Sequence, residues 1–250
     1  MDISTIVLII TGAVVAGFVQ GLSGFAFSMV AMSFWAWAVD PKIAAVLAVF
    51  GALTGQVLAV FSVRRAFNLS LLAPFVVGGL FGIPLGVWVL PLLDSNWFKV
   101  FIGALLVLWC PVMLFSKTIP TPKPTFPLLN GIIGILGGVM SGLGGFAGAI
   151  PTLWCYVRGY DRHIQRAVIQ NFNLAILSVT MVTYLATGLV TTSVLPLLGL
   201  VLPAMLIPTL LGTRIYKYIS DAVFRKVVLS LLIGSGLALL GSALPQILYS

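Results

Sequence analysis

The stretch Gly17-Phe-Val-Gln-Gly-Leu-Ser-Gly-Phe-Ala26 returns 121 positions later as Gly138-Val-Met-Ser-Gly-Leu-Gly-Gly-Phe-Ala147. Glycine at this density leaves main-chain N–H groups uncovered, and N–H groups at a helix start attract negative charge. The chemistry on offer is anion binding by bare backbone. Close helix packing competes with it, because Gly17/Gly21 and Gly138/Gly142 are small-xxx-small pairs. Packing alone does not need Gly144-Gly145 directly after Gly142, nor polar Gln20, Ser23 and Ser141 beside the glycines. A binding loop is therefore favoured, with packing as a second role. Asn171 and Asn173 carry amides that either donate to the second copy's ligand or bond a neighbouring helix, and both readings stand. Thr54 and Gln56 are the weaker candidates of the first half.

These loops have to sit in a membrane. Sixty per cent of the 250 residues are hydrophobic, 7% are charged and the mean hydropathy is +1.19. Soluble domains carry about 25% charged residues. The net charge of +8 lies between apolar runs and forms no continuous stripe, which excludes nucleic acid as a partner and fits a positive-inside bias. The N-terminus lacks a positive n-region, so it reads as retained. Cys110 and Cys155 fall inside apolar segments and read as packing residues, with no metal or other cofactor implied.

Apolar runs cover 4–39, 42–63, 69–93, 97–115, 128–157, 164–186, 192–213 and 223–248. A span needs about 20 residues, so the first and fifth runs are too long for one crossing. Each is expected to be two short helices meeting at Gln20–Gly24 or Ser141–Gly145. If the fifth run is a re-entrant hairpin, eleven of the thirteen basic residues share one face, leaving Lys42 and Lys99 opposite. Single crossings throughout would divide them nine to four, so the hairpin is favoured. By the repeat, the first run should be a hairpin too. The expected fold is an all-α integral membrane protein. Residues 1–116 and 128–250 form two repeats, each a Gly-rich hairpin plus three spans, joined by a Pro-rich cytoplasmic linker at 117–127. An odd number of crossings per half inverts the second repeat.

Asp40, Asp94, Asp161 and Asp221 precede helices and read as caps. No carboxylate is then left at membrane depth for a proton relay or sodium site. Arg158, Arg162, His163 and Arg166 form a cytoplasmic cluster, read first as a topology signal and second as a lure for anions. Trp35, Trp37 and Trp97 fit interfacial belts, and Pro84, Pro151, Pro203 and Pro208 are expected to kink helices.

The paired Gly-x-x-x-Gly-Leu-x-Gly-Phe motifs, each leading half of the chain, resemble the TauE/SafE family of sulfite-exporter-like membrane proteins. The likeness runs over nearly the whole chain, including the acid after each opening segment and the polar linker. It implies an exporter of sulfite, sulfoacetate or another organosulfonate in the bacterial inner membrane. It also implicates Gln20, Gly21, Ser23 and Gly24 in one hairpin and Ser141, Gly142, Gly144 and Gly145 in the other. Ser23 and Phe27 depart from a glycine-richer pattern, so the first half is expected to bind less closely. Asn171 and Asn173 would complete the shell of a small anion. An intramembrane serine protease is the enzyme alternative, on Gly21-Leu-Ser-Gly24 and the lone His163, and a non-transporting scaffold is the third. A homodimer is left open, since apolar faces are expected in lipid whatever the assembly.

Overall fold

A computed structural model describes residues 2–62, 69–115, 127–160, 162–215 and 221–248. The described residues form ten α-helices and no strand. The first half holds α1 (Ile3–Ser23), α2 (Phe27–Trp35), α3 (Pro41–Ser62), α4 (Leu69–Val89) and α5 (Ser95–Phe115). The second holds α6 (Pro127–Gly144), α7 (Ala149–Val157), α8 (Arg162–Ala186), α9 (Leu195–Ile215) and α10 (Asp221–Leu248). All but α2 and α7 are long and apolar enough to cross a membrane, which makes eight candidate spans. The linker, Asp161 and the basic residues Arg64, Arg65, Lys117, Lys123 and Lys217 lie outside the described residues.

Both long runs break, as the glycines predict. The break is later and less even than expected. Residues Gln20–Ser23 and Ser141–Gly144 are still helical, and each helix ends only at a glycine of positive φ, Gly24 at 83° and Gly145 at 77°. A residue with a Cβ pays for that left-handed conformation, so glycine is the natural stop. Beyond each stop the chain forms a nine-residue helix, about 13 Å long. Each short helix doubles back along its long partner. The Trp35 indole N–H donates to Ile9 O at 3.1 Å, and that of Trp154 to Asn130 Oδ1 at 3.0 Å. Trp35 is thus wholly buried, not interfacial, whereas Trp37 and Trp97 are exposed.

The halves interlock. Gly17 and Gly21 of α1 meet Met205, Thr209 and Gly212 of α9, so the two helices run parallel. Gly78, Gly82 and Gly86 of α4 meet Gly131, Ile135 and Val139 of α6, again in parallel. A Cβ at Gly21, Gly82 or Gly138 would overlap a carbonyl oxygen of the facing helix. Small residues at a seam let backbones meet where lipid offers no hydrophobic drive. Helix α5 packs antiparallel on α10 through Gly103 and Gly236. Asp40 and Asp94 cap as expected, with Asp40 Oδ1 accepting from Lys42 N and Asp94 Oδ1 from Asn96 N and Trp97 N. Pro84, Pro203 and Pro208 lie inside helices, but Pro151 sits in the first turn of α7, where its missing N–H costs nothing.

Candidate functional site

The two breaks lie close together. Ser28 Oγ, in the first turn of α2, donates to Gly145 O at 2.9 Å. Helix α3 passes both, placing Gln56 at Gly24 and the Val49 backbone at Gly145, two turns or about 10 Å apart along the helix.

At the first break the N–H groups from Gly24 to Phe27 all find acceptors, whereas those of Ser28 and Met29 in the first turn of α2 donate to no protein group among the described residues. Ser23 Oγ accepts from Phe25 N at 3.4 Å and Ala26 N at 3.2 Å, and Gln20 Oε1 accepts from Phe27 N at 3.0 Å. Gln56 Nε2 donates to Gly24 O at 2.7 Å. Gln20 and Ser23 therefore cover the N–H groups that lead into α2, from positions before its N-cap residue Ala26. Thr54 bonds its own helix at Phe50 O. Gly21 packs on α9.

At the second break those caps are gone. Ser141, standing where the first copy has Gln20, is paired with Thr180 Oγ1 at 2.7 Å, and Gly144 replaces Ser23. Gly142 packs on Ile83 and Val87, and its carbonyl accepts from Tyr184 OH at 2.8 Å. The N–H groups of Ala147, Gly148 and Ile150 donate to no protein group among the described residues. Beside them stands Asn173, 2% exposed. Its amide fills the space a Gly148 side chain would take, with Nδ2 2.7 Å and Oδ1 2.9 Å from the position of a Cβ there. Asn173 Oδ1 and Thr152 Oγ1 are buried without a partner among the described residues. Native interiors rarely leave such groups unpaired. Asn171 lies about 200° around the helix from Asn173, so it does not join them.

A small cavity of about 20 Å³, room for roughly one water-sized group, adjoins the first break. Gln20, Gly24, Arg166, Gln170, Thr209 and Thr213 are among its walls. Sequence reasoning passed over Gln170, although it named Asn171 and Asn173 from the same stretch. It also missed Ala147, Gly148 and Thr152, because it placed the bare backbone before Gly145 and not after it. The repeat length was the available signal: Thr152 has Ala31 as its counterpart 121 positions earlier, and Asn173 has Ala52. Of the basic cluster, Arg158 stacks on Trp154, 5.2 Å from the ring centroid, while Arg166 faces the cavity.

No curated protein and no solved structure matches the chain. A family model described as "Sulfite exporter TauE/SafE" matches residues 8–239, which takes in both breaks and every cavity side chain. With eight candidate spans among its described residues and a family match over residues 8–239, the chain belongs to the TauE/SafE sulfite exporter family.

Proposed function

We propose that the protein exports a small sulfur oxyanion or organosulfonate across the bacterial inner membrane as a secondary transporter. The observation that carries this reading is the donor set at the second break. The main-chain N–H groups of Ala147, Gly148 and Ile150 have no acceptor among the described residues, the Asn173 amide with its Nδ2 donor lies against Gly148, and the Thr152 hydroxyl is buried in the first turn of α7. A helix N-terminus favours negative charge, and neutral donors hold an oxyanion without the desolvation cost of a buried cation. Gly144 and Gly145 shape the loop, and Ser141 and Gly142 fix it to α8 and α4. Gln20, Gly21 and Gly24 line the cavity beside the first break, and Ser23 caps the backbone there.

In this reading residues 1–116 and 128–250 are inverted repeats and each hairpin is re-entrant. The exchanged packing of α1 on α9 and α6 on α4 supports it. Residues 141–149 are largely or wholly buried, so loading requires one hairpin tip to shift against the other. Exchange of conformation between the halves is alternating access. An inside-negative potential is worth about 2.3 kcal/mol per charge per 100 mV, which drives a monovalent anion outward without a coupling ion. The protease alternative draws nothing from the family match, and Ser23 already accepts two backbone bonds.

Proteoliposomes loaded with sulfite or sulfoacetate test this. Efflux should follow an imposed potential at equal pH on both sides and fall at least tenfold in Asn173→Leu. Efflux that needs a proton gradient at clamped voltage rules out the uncoupled mechanism. Efflux of neither anion rules out this substrate class.

A further inference from the structure

We infer that Trp109 is a positioning residue for the donors of α7, aiming and strengthening the Ile150 N–H through the peptide unit that joins Ala149 to Ile150. The inference rests on the export reading for its guest and deepens it at the same donor set. Trp109 lies buried on α5, in the first half of the chain. Its indole N–H donates to Ala149 O at 2.7 Å. The same peptide unit carries the Ile150 N–H, which finds no acceptor among the described residues. That N–H is the last open donor of the turn, because Pro151 has none and Thr152 N donates to Gly148 O. A trans peptide is planar, with its C=O and N–H directed oppositely. Fixing the oxygen therefore fixes the line along which the hydrogen points. A bond accepted at one end also polarises the unit, and bonds in such a chain strengthen one another by about 10–30%.

A buried indole N–H needs an acceptor, but this one takes the carbonyl of the single peptide within α7 whose N–H is open among the described residues. The matched peptide of the first half lacks that support. Met29 stands 121 positions before Ile150 and its N–H is open too, yet no side chain among the described residues donates to Ser28 O. The indole ring meets Phe25, the residue after Gly24, edge to face with centroids 6.1 Å apart. Eight residues earlier on α5, Phe101 meets Phe146, the residue after Gly145, at 6.2 Å. One helix thus holds a ring from each hairpin tip, and Trp109 links the first tip to a donor of the second. Pro111, two residues on, leaves α5 one hydrogen bond short beside the indole. The stretch of α10 matched through Phe98-Lys99 and Phe224-Arg225 has Ser235 and Leu237 at these two positions, so only the second break is served in this way.

Amide resonances and sulfite efflux together test the inference. Ala149–Ile150 is one of two Ala–Ile pairs in the chain, Ala175–Ile176 being the other. Protein in lipid nanodiscs, labelled at the alanine carbonyl carbon and the isoleucine nitrogen, therefore shows the Ile150 amide beside one control. Sulfite should move the Ile150 amide proton downfield and leave that of Ile176 in place. Trp109→Phe, which keeps a ring against Phe25 and removes the N–H, should move the unliganded Ile150 proton upfield. In proteoliposomes it should raise the half-saturating sulfite concentration at least about fivefold, as loss of part of a charge-assisted hydrogen bond predicts. Its maximal rate should stay within about twofold and its unliganded melting point within a few degrees. Phe25→Leu, which loosens the ring and keeps the N–H, should raise half-saturation by less. A wild-type Ile150 amide indifferent to sulfite overturns the inference, and that titration decides if Trp109→Phe does not fold. A larger rise in Phe25→Leu than in Trp109→Phe also overturns it, because the ring and not the N–H then matters. If sulfite moves the Ile150 amide in a Trp109-dependent way but efflux is absent, the positioning role stands and the export reading fails. If efflux and the Ile150 amide are both unchanged in Trp109→Phe, export stands and this role fails.

Discussion

The two helix breaks share a glycine motif, a left-handed stop and a nine-residue return helix, but they differ in where their hydrogen bonds go. The first closes on itself, because Ser23 and Gln20 take up the N–H groups of Phe25, Ala26 and Phe27. The second leaves the N–H groups of Ala147 and Gly148 without an acceptor among the described residues, where the first caps those of Ala26 and Phe27, since Gly144 has no side-chain oxygen to offer and Ser141 is held by Thr180. Polarity is then arranged in reverse. The self-capped break faces a polar cavity, while the open break is flanked on its α3 and α4 sides by Val49, Ile83 and Val87. One fold element, used twice, can cap its own main chain in one place and leave it open in the other. Two side chains decide which.

The contrast is most severely tested at the left-handed glycines. Gly145→Ala would incur about 1–2 kcal/mol of backbone strain and bring a methyl within 2.7 Å of Ser28 Oγ and 3.2 Å of the Val49 backbone. Gly24→Ala has similar strain, but meets only the Gln170 amide, at 3.1 Å, a side-chain end that can move. The melting point of Gly145→Ala should fall several degrees further, and equal falls would show that the hairpin tips do not press on each other.

Exchanging the caps comes next. Gly144→Ser puts a hydroxyl where Ser23 stands in the first copy, at the position from which Ser23 caps Ala26, with the buried Phe146 and Met32 side chains nearest to its Cβ. Efflux should drop about tenfold, equivalent to about 1.4 kcal/mol, with little change in melting point. Ser23→Ala should do the opposite, costing about 1 kcal/mol of stability while efflux survives. If Ser23→Ala is the variant that stops transport, the roles assigned to the two breaks are reversed.

Asn173→Leu separates binding from stability. It removes a buried carbonyl that has no partner, so the melting point should hold or rise while efflux is lost. A large destabilisation would mean that the amide supports structure. The smallest effect belongs to Ser141→Ala, which breaks the bond to Thr180. Interhelical hydrogen bonds in membranes average about 0.6 kcal/mol, and efflux should stay within about twofold. A loss as deep as that of Asn173→Leu would make Ser141 a direct ligand.

Much of this was legible from residue order. Hydropathy marked every span, because about 20 apolar residues are needed to cross lipid whatever their neighbours. The repeat marked both breaks, since glycine's freedom at positive φ is a property of the residue. Asn173 was legible as a polar residue in an apolar run. Its companion Asn171 was not distinguishable from it, because their difference is an angle around α8 that only the packing of α7 makes meaningful. Trp35 was misplaced for a similar reason. It sits near the end of an apolar run, but that run turns back and buries it against Ile9.

Sequence by itself determined that the chain lives in a bilayer, that its halves are related and that each half is interrupted at Gly24 or Gly145. Those are local properties, set by transfer energies and by backbone sterics. Only the tertiary structure decided which interruption keeps its donors and which gains a charged cavity. The capping side chains of the first break come from its own helix, whereas Asn173, Gln170 and Arg166 arrive from a helix that starts well over a hundred residues from Gly24, and no local rule fixes what such a helix will face.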